Sequence, residues 1–258
     1  IFNFFFISYD RGERMKINSY KKLKNGQYKI ILSDRELVLH EDLILKNNLL
    51  ITKELSEEQI GHLEDENKKY LIYDEALKYL KSKLRSKQEM YQYLEKKEYD
   101  KKSIDTVIHM LIKQKYLDDD LYVQAYINDK MHFTNDGPYK ILKSLKQQNI
   151  DKKTIDQHLK SFSIELQKEK VEKFVKKAIK TNRNKSKKNL KQKIIYNLSN
   201  LGYSMDVIQS CLYLLEDVSD ENIKKKEQEK LYAKLSKKYS GSELEYKIKQ
   251  KMIQKGFY

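Results

Sequence analysis

Histidine is the first residue type to ask about chemistry, and the five here (His40, His62, His109, His132 and His158) do not fall at metal-ligand spacing. No HExxH pair or comparable cluster is present to hold zinc. The single cysteine, Cys211, excludes an intramolecular disulfide and a cysteine-built zinc site, and its setting in QSCLYLL reads as core packing. Asp118-Asp119-Asp120 is a carboxylate run of the type that binds a divalent metal. Consecutive side chains point in different directions, however, and the run stands where a helix begins, so capping and dipole stabilisation are the expected roles. No glycine-rich loop is followed by lysine, which removes a nucleotide-binding P-loop, and no nucleophile has a plausible base. The sequence predicts no catalytic residue, no metal and no cofactor.

Clustered lysine is the more productive signal. In KKAIKTNRNKSKKNLKQK, residues 176–193, half of the positions are Lys or Arg and none is acidic. Elsewhere Glu and Asp dilute the charge. Codon-driven enrichment of lysine would scatter it, whereas a binding surface gathers it. Lys176, Lys177, Lys180, Arg183, Lys187 and Lys188 are therefore the predicted contacts to phosphates, with release of counterions as the driving force. A solvated charged loop is the alternative for the same run. The surrounding tyrosines suit base stacking, although tyrosine at helical spacing is more often core.

The elements that position this cluster repeat. Four stretches, beginning at Leu94, Leu145, Leu198 and Met252, superpose an apolar residue and then Tyr99, Ile150, Tyr203 or Phe257 five later. An alanine recurs 18 to 20 residues upstream, at Ala76, Ala125, Ala178 and Ala233, so the period is about 50 residues. Each copy reads as three helices, the third capped by Asp100, Asp151 or Ser204. Ser86 with Glu89 and Ser242 with Glu245 form expected capping boxes, and Gly137-Pro138 puts proline at the first helical position. The fourth copy reaches Tyr258 without a third helix, which leaves Ile248, Met252 and Phe257 in need of cover. A capping box at Ser56 and Gln59 starts an earlier helix, from Glu57 to about Leu84. Ahead of it, Asn25-Gly26 between alternating runs predicts a type I′ hairpin in a two- or three-stranded antiparallel sheet, with strands only between Lys16 and about Leu39.

Composition agrees with a helical chain. Of 258 residues 39% are hydrophobic and 35% charged, with one proline, Pro138, and seven glycines. Such a sequence favours long helices joined by short polar connections. The excess of 53 Lys and Arg over 38 Asp and Glu leaves a formal charge of +15, which suits a polyanionic partner. The predicted fold class is mainly α: tandem three-helix repeats in an elongated, curved array behind a small N-terminal β-sheet. A 50-residue three-helix period differs from tetratricopeptide or ankyrin scaffolds, and such arrays suit long partners better than small substrates.

At DDDLYVQAYINDKMHFTNDGPYKILKSLKQQNI the chain resembles the RecX family. The resemblance rests on Asp118, Asp119, Tyr122, Lys130, Gly137, Pro138, Ile141, Leu145 and Ile150. Ala76, Leu80, Arg85, Ser86, Glu89 and Leu94 resemble the family's preceding block, and the likeness spans residues 70–258. It implies tandem three-helix repeats, no catalysis and binding to the RecA recombinase on single-stranded DNA, in the long form found in low-G+C Gram-positive bacteria. Arg85 and Lys130 join the candidate contacts on the strength of these blocks. Two positions depart from the family pattern: Asn149 stands where glycine is usual, which bears on that turn, and Lys130 where arginine is usual, which weakens a bidentate contact.

The expected divisions are a non-native leader at 1–14, a β-containing domain at 15–56, a linking helix with the first repeat at 57–117, further repeats at 118–166 and 167–219, and a partial fourth at 220–258. Translation is expected to begin at Met15. No segment approaches the roughly 20 apolar residues of a membrane span, and IFNFFFI lacks a basic flank, so the cytoplasm is the expected location. A monomer is expected, since successive copies bury each other's cores. Two rival functions remain: sequence-independent nucleic-acid binding without RecA, and a helical scaffold.

Overall fold

A computed structural model describes residues 14–24, 26–182 and 184–257. The chain divides into two compact units between Asp119 and Asp120.

The first unit opens with strands β1 (Arg14–Lys22), β2 (Gln27–Leu32) and β3 (Glu36–His40), the short helix α1 (Glu41–Lys46) and β4 (Glu54–Ser56). They form one antiparallel sheet in the order β3-β2-β1-β4. β4 corrects the expectation that strands end near Leu39. Its three residues are too few to show alternation, and they pair with Arg14, Met15 and Lys16 on the free edge of β1. Arg14, assigned to the leader, is thus a sheet residue; the rest of the leader lies outside the described residues. The hairpin also differs from expectation. Leu23 N donates to Gln27 O and Gly26 has φ +67°, so three residues span the turn, the last left-handed, in place of a two-residue type I′ loop. Asn25 lies outside the described residues. Alternate positions Met15, Ile17, Ile30, Leu32, Leu37 and Leu39 bury one sheet face against α1 and the start of α2 (Glu57–Leu80). On α2, the Asn67 side chain accepts from His40 N at 2.8 Å and donates to Val38 O at 2.9 Å, serving the open edge of β3.

The far half of α2 packs with α3 (Lys87–Glu95) and α4 (Lys101–Lys113) around Ile72, Ala76, Met90, Leu94, Val107 and Leu111. Both capping boxes, at Ser56–Gln59 and Ser86–Glu89, are formed. Asp119 Oδ1 accepts from Lys87 N at 2.9 Å, so one member of the aspartate run caps α3, 32 residues back.

The second unit holds α5 (Asp119–Phe133), whose first residue belongs to the first unit, then α6 (Pro138–Lys146), α7 (Lys152–Leu159), α8 (Ile164–Thr181), α9 (Lys187–Asn200), α10 (Met205–Ser210), α11 (Glu221–Leu235) and α12 (Gly241–Gln254). The boundary expected at 167 falls in the first turn of α8, which Ser163 caps. Asp151 and Ser204 cap α7 and α10 as expected, and Pro138 is the first residue of α6. The box at Ser242 and Glu245 does not form. Gly241, at φ +55°, turns the chain into the helix earlier, and the cap position falls to Ser240, which makes no side-chain bond.

The anchors Leu94, Leu145, Leu198 and Met252 are all buried, whereas Ala233 is exposed; the recurring alanine marks register without always marking core. Before each aromatic or Ile anchor the backbone is left-handed, at Glu98, Asn149, Gly202 and Gly256. Asn149, at φ +54°, keeps that turn without glycine because asparagine tolerates the conformation. Ile248, Met252 and Phe257 find cover in a core of their own with Leu231, Leu235 and Leu244.

Tyr203 is 5% exposed, and burial pushes its hydroxyl up from 10.0 to about 12. Because the folded value lies above the unfolded one, this stabilisation is intact below pH 10 and lost as pH rises from 10 through about 12. Y203F should therefore melt with a weaker pH dependence than the parent in that window. Superimposable alkaline melting profiles would refute the assignment.

Candidate functional site

The basic segment begins on the exposed face of α8. Lys173, Lys177 and Lys180 follow one another at helical spacing on that face, with Lys176 beside them, and all four are exposed. Lys173 pairs with Glu169 at 2.6 Å and Lys176 with Glu172 at 3.6 Å. Among the described residues no carboxylate lies within ion-pairing distance of Lys177 or Lys180. Arg183 lies outside the described residues.

Beyond the turn, Lys187 opens α9 and is engaged twice. Its amide donates to Asp220 Oδ2 at 2.7 Å and its Nζ to the Glu216 carbonyl at 2.8 Å. The Asp220 contact repeats the one between Asp119 and Lys87; α6, which starts with proline, has no amide there to cap. Lys188 is exposed on the first turn of α9. Ser186, 1% exposed, joins the segment to the C-terminal helix pair: its Oγ accepts from Asn189 N at 3.3 Å and donates to Lys255 O at 2.8 Å. S186A should cost about 1 kcal/mol. Amide exchange should speed up at the start of α9 and the end of α12; exchange unchanged at both places would dismiss this tie.

The two residues drawn from the family-like blocks are packed differently. The Arg85 guanidinium, in the first unit, lies 3.9 Å over Tyr79, which stacks on Tyr93 at 3.8 Å. Its side chain is only 14% exposed. Lys130 on α5 sits 5.3 Å over the Tyr126 ring and 3.6 Å from Asp136. The structure thus gathers Lys176, Lys177 and Lys180 on one helix face and gives Lys187, Arg85 and Lys130 partners of their own. Sequence reading missed Lys173, which an i, i+4, i+7 count from Lys173 to Lys180 would have included.

His158 and Cys211 have architectural surroundings. His158 Nε2 lies 2.9 Å from Asp120 Oδ1, and Cys211 is buried, its thiol pushed up chiefly by desolvation. Among the described residues no cluster of His, Cys, Asp or Glu could hold a metal ion. No described helix is long and apolar enough to cross a membrane.

Residues 73–111 match the family model described as RecX, first three-helix domain. The chain is 34% identical to the regulatory protein RecX of Bacillus subtilis (strain 168), with 94% of this chain and 93% of that protein covered. Against the regulatory protein RecX of Oceanobacillus iheyensis the identity is 28%, with 94% and 92% covered. A crystal structure of regulatory protein RecX superposes with a TM-score of 0.69 at 25% identity, covering 76% of this chain and 98% of that one.

Proposed function

The chain belongs to the RecX family, and from that premise we propose that it is a non-catalytic cytoplasmic regulator of the RecA recombinase. It binds the filament of RecA on single-stranded DNA as a monomer and restrains filament growth, ATP hydrolysis and strand exchange. Its place is in homologous recombination, DNA repair and the SOS response. The observation that carries the reading is the lysine face of α8, with Lys176, Lys177 and Lys180 exposed together. Clustered lysines near phosphates or an acidic filament surface gain by releasing counterions and need no fixed geometry. A chain of tandem repeats offers several related surfaces, which suits a partner that is itself a repeat and lets one chain touch neighbouring RecA subunits. Lys188 and Arg183 belong to the same basic segment and are further candidate contacts; Lys187, Arg85 and Lys130 make the contacts described above and add less.

ATP hydrolysis by RecA on single-stranded DNA tests this. Inhibition at ratios far below one chain per RecA subunit is the expected result. Inhibition only at ratios that coat the DNA would indicate a nucleic-acid binder without a RecA partner, and no inhibition would leave a scaffold.

A further inference from the structure

We propose that the groove between the end of α5 and the lysine face of α8 is a subsite for single-stranded nucleic acid, in which a base stacks on Phe133 and the backbone follows Lys173 and Lys177. Phe133, the last residue of α5, is 84% exposed, the most of any large hydrophobic side chain among the described residues. Scattered exposed hydrophobes need no explanation, but this one is held in place. Thr134, next to it, bonds Lys130 O through its amide at 3.3 Å and its hydroxyl at 2.9 Å, and the hydroxyl accepts from Asp136 N at 3.1 Å. Lys170 Nζ donates to the Thr134 carbonyl at 2.8 Å. Burial lowers the pKa of that ammonium, which is spent on fixing the end of α5.

The ring heads a groove of about 500 Å³ whose lining includes Asn135, Lys170, Lys173, Phe174 and Lys177. A second hollow of about 220 Å³ shares Asn135, Phe174 and Lys177 and continues to Asn182, Lys193 and Asn197. Lys173 and Lys177 stand one helical turn, roughly 6 Å, apart along the axis. Glu169 is the one carboxylate in either lining, and its exposed pair with Lys173 is cheap to open. A flat ring, a row of ammonium groups and amide side chains together fit a strand whose bases are free to stack, in any sequence. Duplex bases are held in their own stack and cannot reach the ring. An acidic polypeptide would satisfy the lysines and leave Phe133 without a partner. Among the described residues the lining presents lysine ammonium groups and no arginine fork of the kind that selects carboxylates.

The subsite needs no RecA, so it can be tested on the chain alone. The protein contains no tryptophan, which makes F133W a single reporter on a surface position. Titration with a short oligothymidylate should quench the indole of F133W, while poly-glutamate and the matching duplex should not. F133A should bind the oligonucleotide ~10-fold more weakly than the parent, with duplex affinity changed less than about twofold. Full oligonucleotide affinity in F133A, or binding to F133W without quenching, would overturn the proposal. Equal quenching by poly-glutamate would do so in favour of an acidic polypeptide. RecA inhibition is read separately: inhibition without quenching sinks the subsite and spares the RecA reading, and quenching without inhibition does the reverse.

Discussion

Reversing Lys176, Lys177, Lys180 and Arg183 to glutamate in one variant should lower affinity for the RecA filament by ~100-fold or more at low salt and flatten its salt dependence. Each lysine or arginine that neutralises a phosphate of a single strand contributes about −0.7 to the slope of log affinity against log salt, so losing four contacts should reduce the slope by about 3. The fold should survive. Lys176, Lys177 and Lys180 are exposed, and the only described ion pair lost among the four is the one from Lys176 to Glu172. A like-charge pair one turn apart costs about 0.5 kcal/mol on a helix. Far-UV circular dichroism should therefore match the parent while filament binding by anisotropy collapses. Undiminished inhibition of RecA by this variant would show that the α8 face is only solvated surface, and would move the contact to the first two repeats.

Gly202→Ala should destabilise the second unit by about 3 kcal/mol, lowering its melting temperature by roughly 10 °C. Two costs combine. Gly202 has φ +87°, a conformation that charges a residue bearing Cβ about 1–2 kcal/mol. An added Cβ would also lie 2.4 Å from Lys140 N and 2.8 Å from Lys140 Cβ. The clash cannot relax cheaply, because Gly137 N and Tyr139 N donate to the carbonyls of Leu201 and Gly202, at 2.6 and 3.0 Å. Gly137 is equally pressed, its own Cβ position lying 2.6 Å from Gly202 C. G202N separates the costs, since asparagine accepts the positive φ but still brings the Cβ. A melting temperature within 2 °C of the parent for G202A would mean that the two backbones are not in contact.

These two expectations were unequally legible beforehand. Half of the 18 positions from 176 to 193 are Lys or Arg, so the charge was visible in composition alone, and a count at helical spacing puts Lys176, Lys177 and Lys180 near one face. Which lysines are free was not visible. Lys187 looks like its neighbours in sequence, yet its Nζ is held by the Glu216 carbonyl, 29 residues on. Arg85 reads as a cation and is built as a layer in a stack with Tyr79 and Tyr93. Phe133 and Lys170 gave no signal at all, because the bond that joins their turns spans 36 residues.

The sequence by itself determined where helices begin and which face each buries. Ser56, Ser86, Asp100, Asp151 and Ser204 cap their helices through amides two or three residues on, and the anchors Leu94, Leu145 and Leu198 recur at a fixed period. Such bonds and periods are contained within a few residues, so spacing reveals them. Tertiary structure decided the rest: that Asp119 and Asp220 cap helices of preceding repeats, that β4 completes the sheet, and that Ser186 ties to Lys255, 69 residues away. Partners so far apart leave no mark in local pattern, because either end could serve equally well without the other until packing brings them within a hydrogen bond.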